Sequence, residues 1–239
     1  MDIEKLKPII DNIITDAFDR IEYAYQYHRE GIKKDGIEPM GEDIKTRLIF
    51  PRYFDTKDQN KINRGNKSNN IKVRTRISEQ ELRFAFVEAF NASDGVKENH
   101  LFYSIETPTE GRYYFSGKEP KMVSKDKKGR SAAFDLVIYD KNLTRICLIE
   151  FKAKSVKPKD YIKDLLKLYK EIDNNETVLC YFINVFRSSD SGTIPTMKNK
   201  IKLFAEKEGF SNQENIIIGY DVLETTNKGL IPLRELIRD

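Results

Sequence analysis

The sequence predicts an α/β domain in which a mixed central β-sheet is flanked by helices. From residue 78 onward, segments with helical periodicity alternate with short runs rich in β-branched and aromatic residues, and this alternation is typical of α/β sheets. Two of the runs, 134–139 and 146–151, are neighbours separated by the polar sequence Asp-Lys-Asn-Leu-Thr. That arrangement predicts a β-hairpin.

The composition allows one large domain and argues against several chemistries. The 239 residues are 39% hydrophobic and 33% charged, with a net charge of +4, which permits a polyanionic partner without requiring one. Cys147 and Cys180 both lie in apolar runs, and neither a disulfide framework nor a zinc pattern is present. His28 and His100 are the only histidines, which argues against HNH nucleases, zinc hydrolases and histidine-dependent nucleophilic triads.

The sequence shows neither a signal peptide nor a membrane span. The first residues lack the basic and apolar regions of a signal peptide, and no apolar run approaches the roughly 18 residues that suggest a span. We therefore expect a soluble cytoplasmic protein without a membrane partner.

Three segments divide the chain: an N-terminal helical extension over 1–55, a basic linker or arm over 56–76, and a main domain over 77–239. From residue 3 to about residue 30, apolar residues recur at helical spacing. We expect this helix either to pack onto the main domain or to form a homodimer. A shorter helix is predicted over 41–50, ended by Pro51. The apolar stripe of the long helix comprises Leu6, Ile9, Ile10, Ile13, Ala17, Ile21 and Ala24.

Two stretches are strongly basic. Residues 56–76 hold seven Lys or Arg against one acid, and 118–130 hold five lysines and one arginine against two acids. Each is interpreted either as a solvated loop or as a contact surface for nucleic-acid phosphates. The candidate contact residues in the second stretch are Lys125, Lys127, Lys128 and Arg130.

The main domain opens with a helix. Ser78-x-x-Glu81 is a capping box, and the core-facing stripe of the helix that follows includes Leu82 and Phe86. Glu79 lies on this stripe, where a carboxylate either favours the helix dipole or has a function. The next elements are strands at 101–106, 111–116, 134–139 and 146–151, a helix at 160–172 in which Lys163 and Lys167 lie off the apolar stripe, a strand at 178–186, a helix at 197–206 and a strand at 216–222.

The predicted hairpin contains charged residues that are unusual in a buried strand. Side chains alternate along a strand, so Glu150 and Lys152 share one face of a strand that is apolar on both faces. A buried carboxylate there needs a cation, and Asp135 on the neighbouring strand could approach the same point. Such a cluster suits Mg²⁺, which activates water for attack on phosphorus, with a lysine to stabilise the phosphate charge. The alternative is a structural ion pair between Asp135 and Lys152.

Asp135, followed by Glu150-Phe151-Lys152 on the next strand, resembles the signature of the PD-(D/E)XK nuclease superfamily, with Phe134 in place of the proline. The run from Ser78 to Leu82 is similar to the opening helix of the archaeal Holliday-junction resolvases. The resemblance covers about residues 77–175 and implies a restriction-endonuclease-like fold. It also implies catalytic residues Asp135, Glu150, Lys152 and Glu79, metal ligation by Asp135, Glu150 and the Phe151 carbonyl, and substrate contacts at Lys163 and Lys167.

From these residues we expect a Mg²⁺- or Mn²⁺-dependent nuclease that hydrolyses the phosphodiester bonds of nucleic acid, with DNA as the first expected substrate. The second possibility is a non-catalytic nucleic-acid-binding or assembly module that retains the same fold. The residues that predict the sheet and the site do not encode DNA or RNA preference, endo or exo action, or sequence specificity.

Overall fold

The computed structural model describes residues 2–33, 44–50, 52–54, 73–75, 77–114, 121–123, 129–153, 158–174, 177–187, 192–209 and 214–238. The elements in chain order are α1 (Ile3–Lys33), β1 (Arg52–Phe54), β2 (Val73–Thr75), α2 (Glu79–Ala92), α3 (Asp94–Glu98), β3 (Phe102–Tyr114), β4 (Lys121–Val123), β5 (Arg130–Tyr139), β6 (Arg145–Ala153), α4 (Pro158–Asn174), β7 (Leu179–Phe186), α5 (Thr193–Glu208), β8 (Ile216–Val222), β9 (Asn227–Pro232) and α6 (Leu233–Arg238).

A mixed sheet forms the centre of the described structure. It contains seven strands within the described ranges, in the order β4-β3-β5-β6-β7-β8-β9. Strands β3, β5 and β6 are antiparallel neighbours, β6, β7 and β8 are parallel neighbours, and β9 returns antiparallel to β8. Each parallel connection contains a helix, α4 or α5, because parallel neighbours need a crossover. The α/β prediction is confirmed, while β9 and α6 lie beyond the predicted elements.

Helices cover both faces of the sheet. On one face, Leu136, Phe151 and Ile183 share a hydrophobic core with α1 and α2. On the other face, Leu148 and Phe182 share a second core with α4, α5 and α6. Strand β7 is buried along its whole length, as expected for a strand that lies between two helical layers.

Helix α1 packs onto the sheet along its predicted apolar stripe. Leu6, Ile10 and Ile21 are fully buried, and Tyr181 on β7 donates a hydrogen bond of 2.6 Å to Asp11. Because the stripe is covered within the chain, it does not offer apolar surface to a second copy. No helix in the described ranges has the length and apolar character needed to cross a bilayer.

Three local predictions are wrong. Residues 44–50 are irregular rather than helical, and Thr46 accepts a 3.0 Å hydrogen bond from the Leu48 N–H, a local bond that competes with helix formation. Val73–Thr75, predicted as loop, pairs with β1. The two strands predicted at 101–106 and 111–116 are the single strand β3, whose pairing with β5 shifts register after Pro108. Most of both basic stretches (56–72, 76, 118–120 and 124–128) lies outside the described residues.

A buried pair of carboxyl groups joins α1 to β8. Asp221 is fully buried, and among the described groups neither of its oxygens nor Glu22 Oε1 has a hydrogen-bond partner. Lys228 contacts the other oxygen of Glu22 at 3.1 Å and also contacts Asp19. Burial, together with the negative charge of Glu22, raises the pKa of Asp221 to about 8. One proton shared between Asp221 and Glu22 would supply the missing donor.

Replacing Asp221 with asparagine should remove a pH dependence of stability. The pKa of Asp221 is higher in the folded protein than in the unfolded chain, so the folded state keeps a proton that the unfolded chain releases. The free energy of unfolding of the wild type should therefore fall as pH rises from about 4 to about 8. We expect Asp221→Asn to flatten this slope and to be the more stable protein at about pH 8, measured by urea unfolding across that range.

Asp19→Asn is the matched control, because it removes only the more exposed carboxylate that contacts Lys228. It should change the pH slope only slightly, because Asp19 makes the smallest of the contributions to the raised pKa of Asp221. Equal slopes for the wild type and Asp221→Asn would contradict the shared proton.

Candidate active site where β5 and β6 part

The two strands of the predicted hairpin separate at Asp135. Strand β5 pairs with β6 as far as Leu136 and Ile149; beyond that point β5 pairs with β3 and β6 pairs with β7. The Asp135 carboxylate accepts a 2.7 Å hydrogen bond from the Phe151 N–H. The side chain thus satisfies a backbone donor that the sheet leaves unpaired, and it is fixed at the fork.

Glu150 is held by a lysine of α4. Glu150 follows Ile149, the last β6 residue paired with β5, just as Asp135 precedes Leu136, its partner on β5, and Glu150 is only 1% exposed. Its Oε1 lies 2.5 Å from Lys167 Nζ, which also contacts Asp164 at 2.9 Å and donates to the Ala133 carbonyl at 2.8 Å. Burial raises the pKa of Glu150, with Asp164 adding to the rise and Lys167 opposing it. The expected cation beside Glu150 is therefore Lys167, not Lys152.

Lys152 lies between α2 and α4. Its Nζ is 2.8 Å from Asp164 and 3.3 Å from Glu79, and it donates to the Phe151 carbonyl at 3.0 Å. Burial alone would lower the pKa of Lys152, but the charges of Asp164 and Glu79 outweigh burial, and the pKa is raised. The side chain is therefore an ammonium at neutral pH, suited to stabilising negative charge and not to accepting a proton.

Helix α2 supplies two charged groups one turn apart. The predicted capping box is confirmed, since the Ser78 N–H donates to the Glu81 carboxylate at 2.7 Å. This helix start fixes the direction of Glu79 and, four residues later, of Arg83. Arg83 Nη2 contacts Asp135 at 3.1 Å and Glu106 of β3 at 2.9 Å. Burial raises the pKa of Glu79, while Lys152 opposes the rise.

The structure brings together the four side chains that the sequence predicts as catalytic. It also adds residues that the sequence analysis does not identify. Helical spacing places Arg83 four residues after Glu79 and Asp164 three residues before Lys167, on the helix faces of predicted site residues, whereas no such signal points to Glu106. The added residues are Arg83, Glu106 and Asp164.

The residues predicted to contact substrate lie in different environments. Lys163 and Arg130 are exposed, on α4 and at the start of β5. Lys167 is 2% exposed, so the prediction that it lies with Lys163 off the buried surface of α4 is wrong. Its two ion pairs explain the burial, because a lysine leaves water only where acids replace its hydration. Lys125, Lys127 and Lys128 lie outside the described residues.

Asn184 on β7 is a buried polar residue that lies beside the ion pairs but takes no part in them. Asn184 is fully buried. It is paired with Lys152 on β6 and with Tyr220 on β8. Within the described part of the chain, neither atom of its side-chain amide has a hydrogen-bond partner. Leaving such a group unpaired costs about 1–3 kcal/mol. The amide therefore has hydrogen-bonding capacity for a water or ligand next to Lys152.

The carboxylate and carbonyl oxygens at the fork are of the kind that a hard divalent ion binds, although neighbouring cations already hold both carboxylates in ion pairs. No group of three or more Asp, Glu, His or Cys side chains in the described ranges is placed to hold a metal. Mg²⁺, however, often uses only one or two carboxylates and keeps several waters. Oε1 of Glu150 is buried and forms no well-aligned hydrogen bond with described groups. Asp135, Glu150 and the Phe151 carbonyl are oxygen donors of the required kind.

Comparison with known proteins returned no match to a family model, to a curated protein or to a solved structure.

Removing the Lys167 ammonium should strongly destabilise the protein. Lys167→Met leaves Glu150 and Asp164 buried with one cation fewer, and breaking a buried ion pair from one side costs about 3–5 kcal/mol. The double variant Lys167→Met/Glu150→Gln should recover part of this loss, because it also removes the stranded carboxylate. Urea unfolding gives the free energies.

Lys163→Met, one turn away and exposed, is the control and should change stability by no more than about 0.5 kcal/mol. Similar small effects for Lys167→Met and Lys163→Met would show that Lys167 is not part of a buried ion-pair network.

Proposed function

We propose that the chain is a divalent-metal-dependent nuclease with a restriction-endonuclease-like sheet over residues 77–239. The observation that carries the proposal is the fork of β5 and β6, where Asp135 and Glu150 adjoin the last paired residues, Leu136 and Ile149, and Lys152 follows Glu150 on the same strand. Glu79 reaches the same cluster from the first turn of α2. Two acids that can hold a metal ion, a lysine that can stabilise negative charge and a helix-borne glutamate form a combination suited to phosphodiester hydrolysis.

Each residue of the cluster has a distinct role in this proposal. Asp135, Glu150 and the Phe151 carbonyl would hold Mg²⁺ or Mn²⁺, whose chemistry is to activate water and to neutralise charge at the phosphate. Lys152 would donate to a phosphate oxygen as negative charge develops. Its contact with Glu79 is the longest of its ion pairs at 3.3 Å, and the Glu79 side chain is 41% exposed, against 6% for Asp164. A phosphate oxygen would therefore displace Glu79 from Lys152 more readily than it would displace Asp164.

Nucleic acid, with DNA as the first substrate, is the partner in this proposal. Arg130 and Lys163 are exposed cations on the two elements that lead into the cluster, β5 and α4. Phosphate contacts from such residues position nucleic acid without reading its sequence. The contacts expected from Lys125, Lys127 and Lys128 remain predictions from sequence.

A non-catalytic module that retains the fold is the second candidate. It is favoured by one observation: Asp135 already has Arg83 as a counter-ion, and Glu150 already has Lys167. A cluster that is compensated in this way can be purely structural. The two candidates differ in whether the cluster turns over a phosphodiester substrate.

Cleavage assays with the full chain decide between these candidates. Duplex, single-stranded and branched DNA and RNA are incubated with Mg²⁺ or Mn²⁺ and with excess EDTA. We expect cleavage that stops in EDTA and falls by about 10²- to 10³-fold in Lys152→Ala, the loss seen when one transition-state donor is removed.

Lys97→Ala removes an exposed lysine of α3 that pairs with Asp94; purified in parallel, it controls for contaminating nucleases and should retain the turnover of the wild type. Activity that persists in EDTA, or turnover that Lys152→Ala does not lower, would refute the proposed site. No cleavage of any substrate by the wild type would favour the non-catalytic module.

A further inference from the structure

Arg83 is the counter-ion of Asp135, but its contacts use only part of the guanidinium. A single nitrogen, Nη2, lies 3.1 Å from Asp135 Oδ1 and 2.9 Å from Glu106 Oε1. Nε is buried and has no hydrogen-bond partner among the described groups. A guanidinium carries five N–H donors in a planar fork that matches a carboxylate or phosphate in bidentate fashion. Sharing one nitrogen between two acids does not use that fork.

Arg83 connects the largely buried Asp135 to the exposed Glu106. The Arg83 side chain is 10% exposed, Asp135 is 15% exposed, and Glu106 is 61% exposed. Glu106 also has a left-handed backbone, with φ of 49°, which is uncommon outside glycine and clusters at functional sites. The exposed carboxylate of Glu106 marks the direction from which a substrate oxygen could reach the guanidinium.

A divalent ion and Arg83 would compete for the same carboxylate. Asp135 carries one negative charge, which Arg83 neutralises in the structure described here. If Asp135 became a ligand of Mg²⁺ or Mn²⁺, the attraction between its oxygen and the guanidinium would weaken. Arg83 would then keep only its exposed contact with Glu106, and its buried Nε would still lack an acceptor.

We propose that Arg83 is a phosphate ligand of the candidate site, held on Asp135 until a divalent ion takes over that carboxylate. This inference rests on the proposed nuclease function. Once Asp135 leaves, Nη2 can present an N–H parallel to that of Nε, and two phosphodiester oxygens at the mouth of the site can accept this pair. Arg83 and Lys152 then hold the substrate phosphate from the α2 side and from the sheet.

Arg83→Gln should move metal affinity and turnover in opposite directions. Without the competing charge, Mn²⁺ should bind about tenfold more tightly, measured by titration calorimetry of the full chain without substrate. The value of kcat at saturating Mn²⁺ should fall by about 10²-fold, because a phosphate ligand is lost. Arg83→Lys should restore the wild-type metal affinity but only part of kcat, because an ammonium lacks the planar fork.

Arg145→Gln is the matched control. Arg145 lies at the start of β6 and pairs through one nitrogen with Glu110 at 3.7 Å, so its loss should change neither metal affinity nor kcat. If Arg83→Gln does not fold, Arg83→Lys decides alone, and full turnover in that variant overturns the proposed role of the fork.

The outcomes separate this inference from the nuclease proposal. Unchanged Mn²⁺ affinity and unchanged kcat in Arg83→Gln, with an active wild type, would overturn the role of Arg83 and leave the nuclease standing. Tighter Mn²⁺ binding in Arg83→Gln, with no cleavage by the wild type, would support competition at Asp135 and refute the phosphate-binding role together with the nuclease. A wild type that neither binds Mn²⁺ nor cleaves any substrate would overturn both.

Discussion

The need to compensate buried carboxylates determines how the three layers of this protein meet. Glu150 and Asp164 are almost completely removed from water, and a carboxylate in that position is unfavourable unless a cation or hydrogen bonds replace its hydration. The sheet provides Lys152, and α4 provides Lys167. Because Lys167 reaches the sheet from α4, the helix cannot slide along the sheet without breaking an ion pair.

The same requirement connects the candidate site to the rest of the fold. Helix α2 contributes an acid, Glu79, to Lys152 and a cation, Arg83, to Asp135. The charges therefore alternate from α2 through the sheet to α4, and no acid in the cluster has only other acids as neighbours. A divalent ion entering the fork would compete with the ion pairs that Asp135 makes with Arg83 and Glu150 makes with Lys167. The order in which these ion pairs break would then be part of the proposed mechanism.

The sequence was sufficient to predict the parts of the fold and the site that depend on local periodicity. Alternation within β6 identifies Glu150 and Lys152 as charges on a buried strand, and the capping box identifies the start of α2. Both inferences use residues that are within four positions of each other. The sequence predicts two strands in place of β3 because Pro108 normally interrupts a strand, whereas the register shift after Pro108 lets the strand continue.

The partners of the charges could not be predicted in the same way. Arg83 and Asp135 are 52 positions apart, and only the packing of α2 on the sheet brings them together. The sequence prediction for Lys167 is wrong for a related reason: a charged face of a helix has the same periodicity whether it faces water or a buried network of opposite charge. Its burial depends on where α4 crosses β6, which the pattern of a single helix does not specify.

Binding of Mn²⁺ to the whole chain is the decisive measurement for the proposal that Asp135 and Glu150, although compensated by cations, can receive a divalent ion. In a titration followed by the paramagnetic signal of free Mn²⁺, we expect saturable binding to the wild type. Asp135→Asn and Glu150→Gln should each weaken that binding by about tenfold or more, since each removes one charged ligand. Absence of Mn²⁺ binding to the wild type, or equal affinity in the wild type and both variants, would refute the proposal.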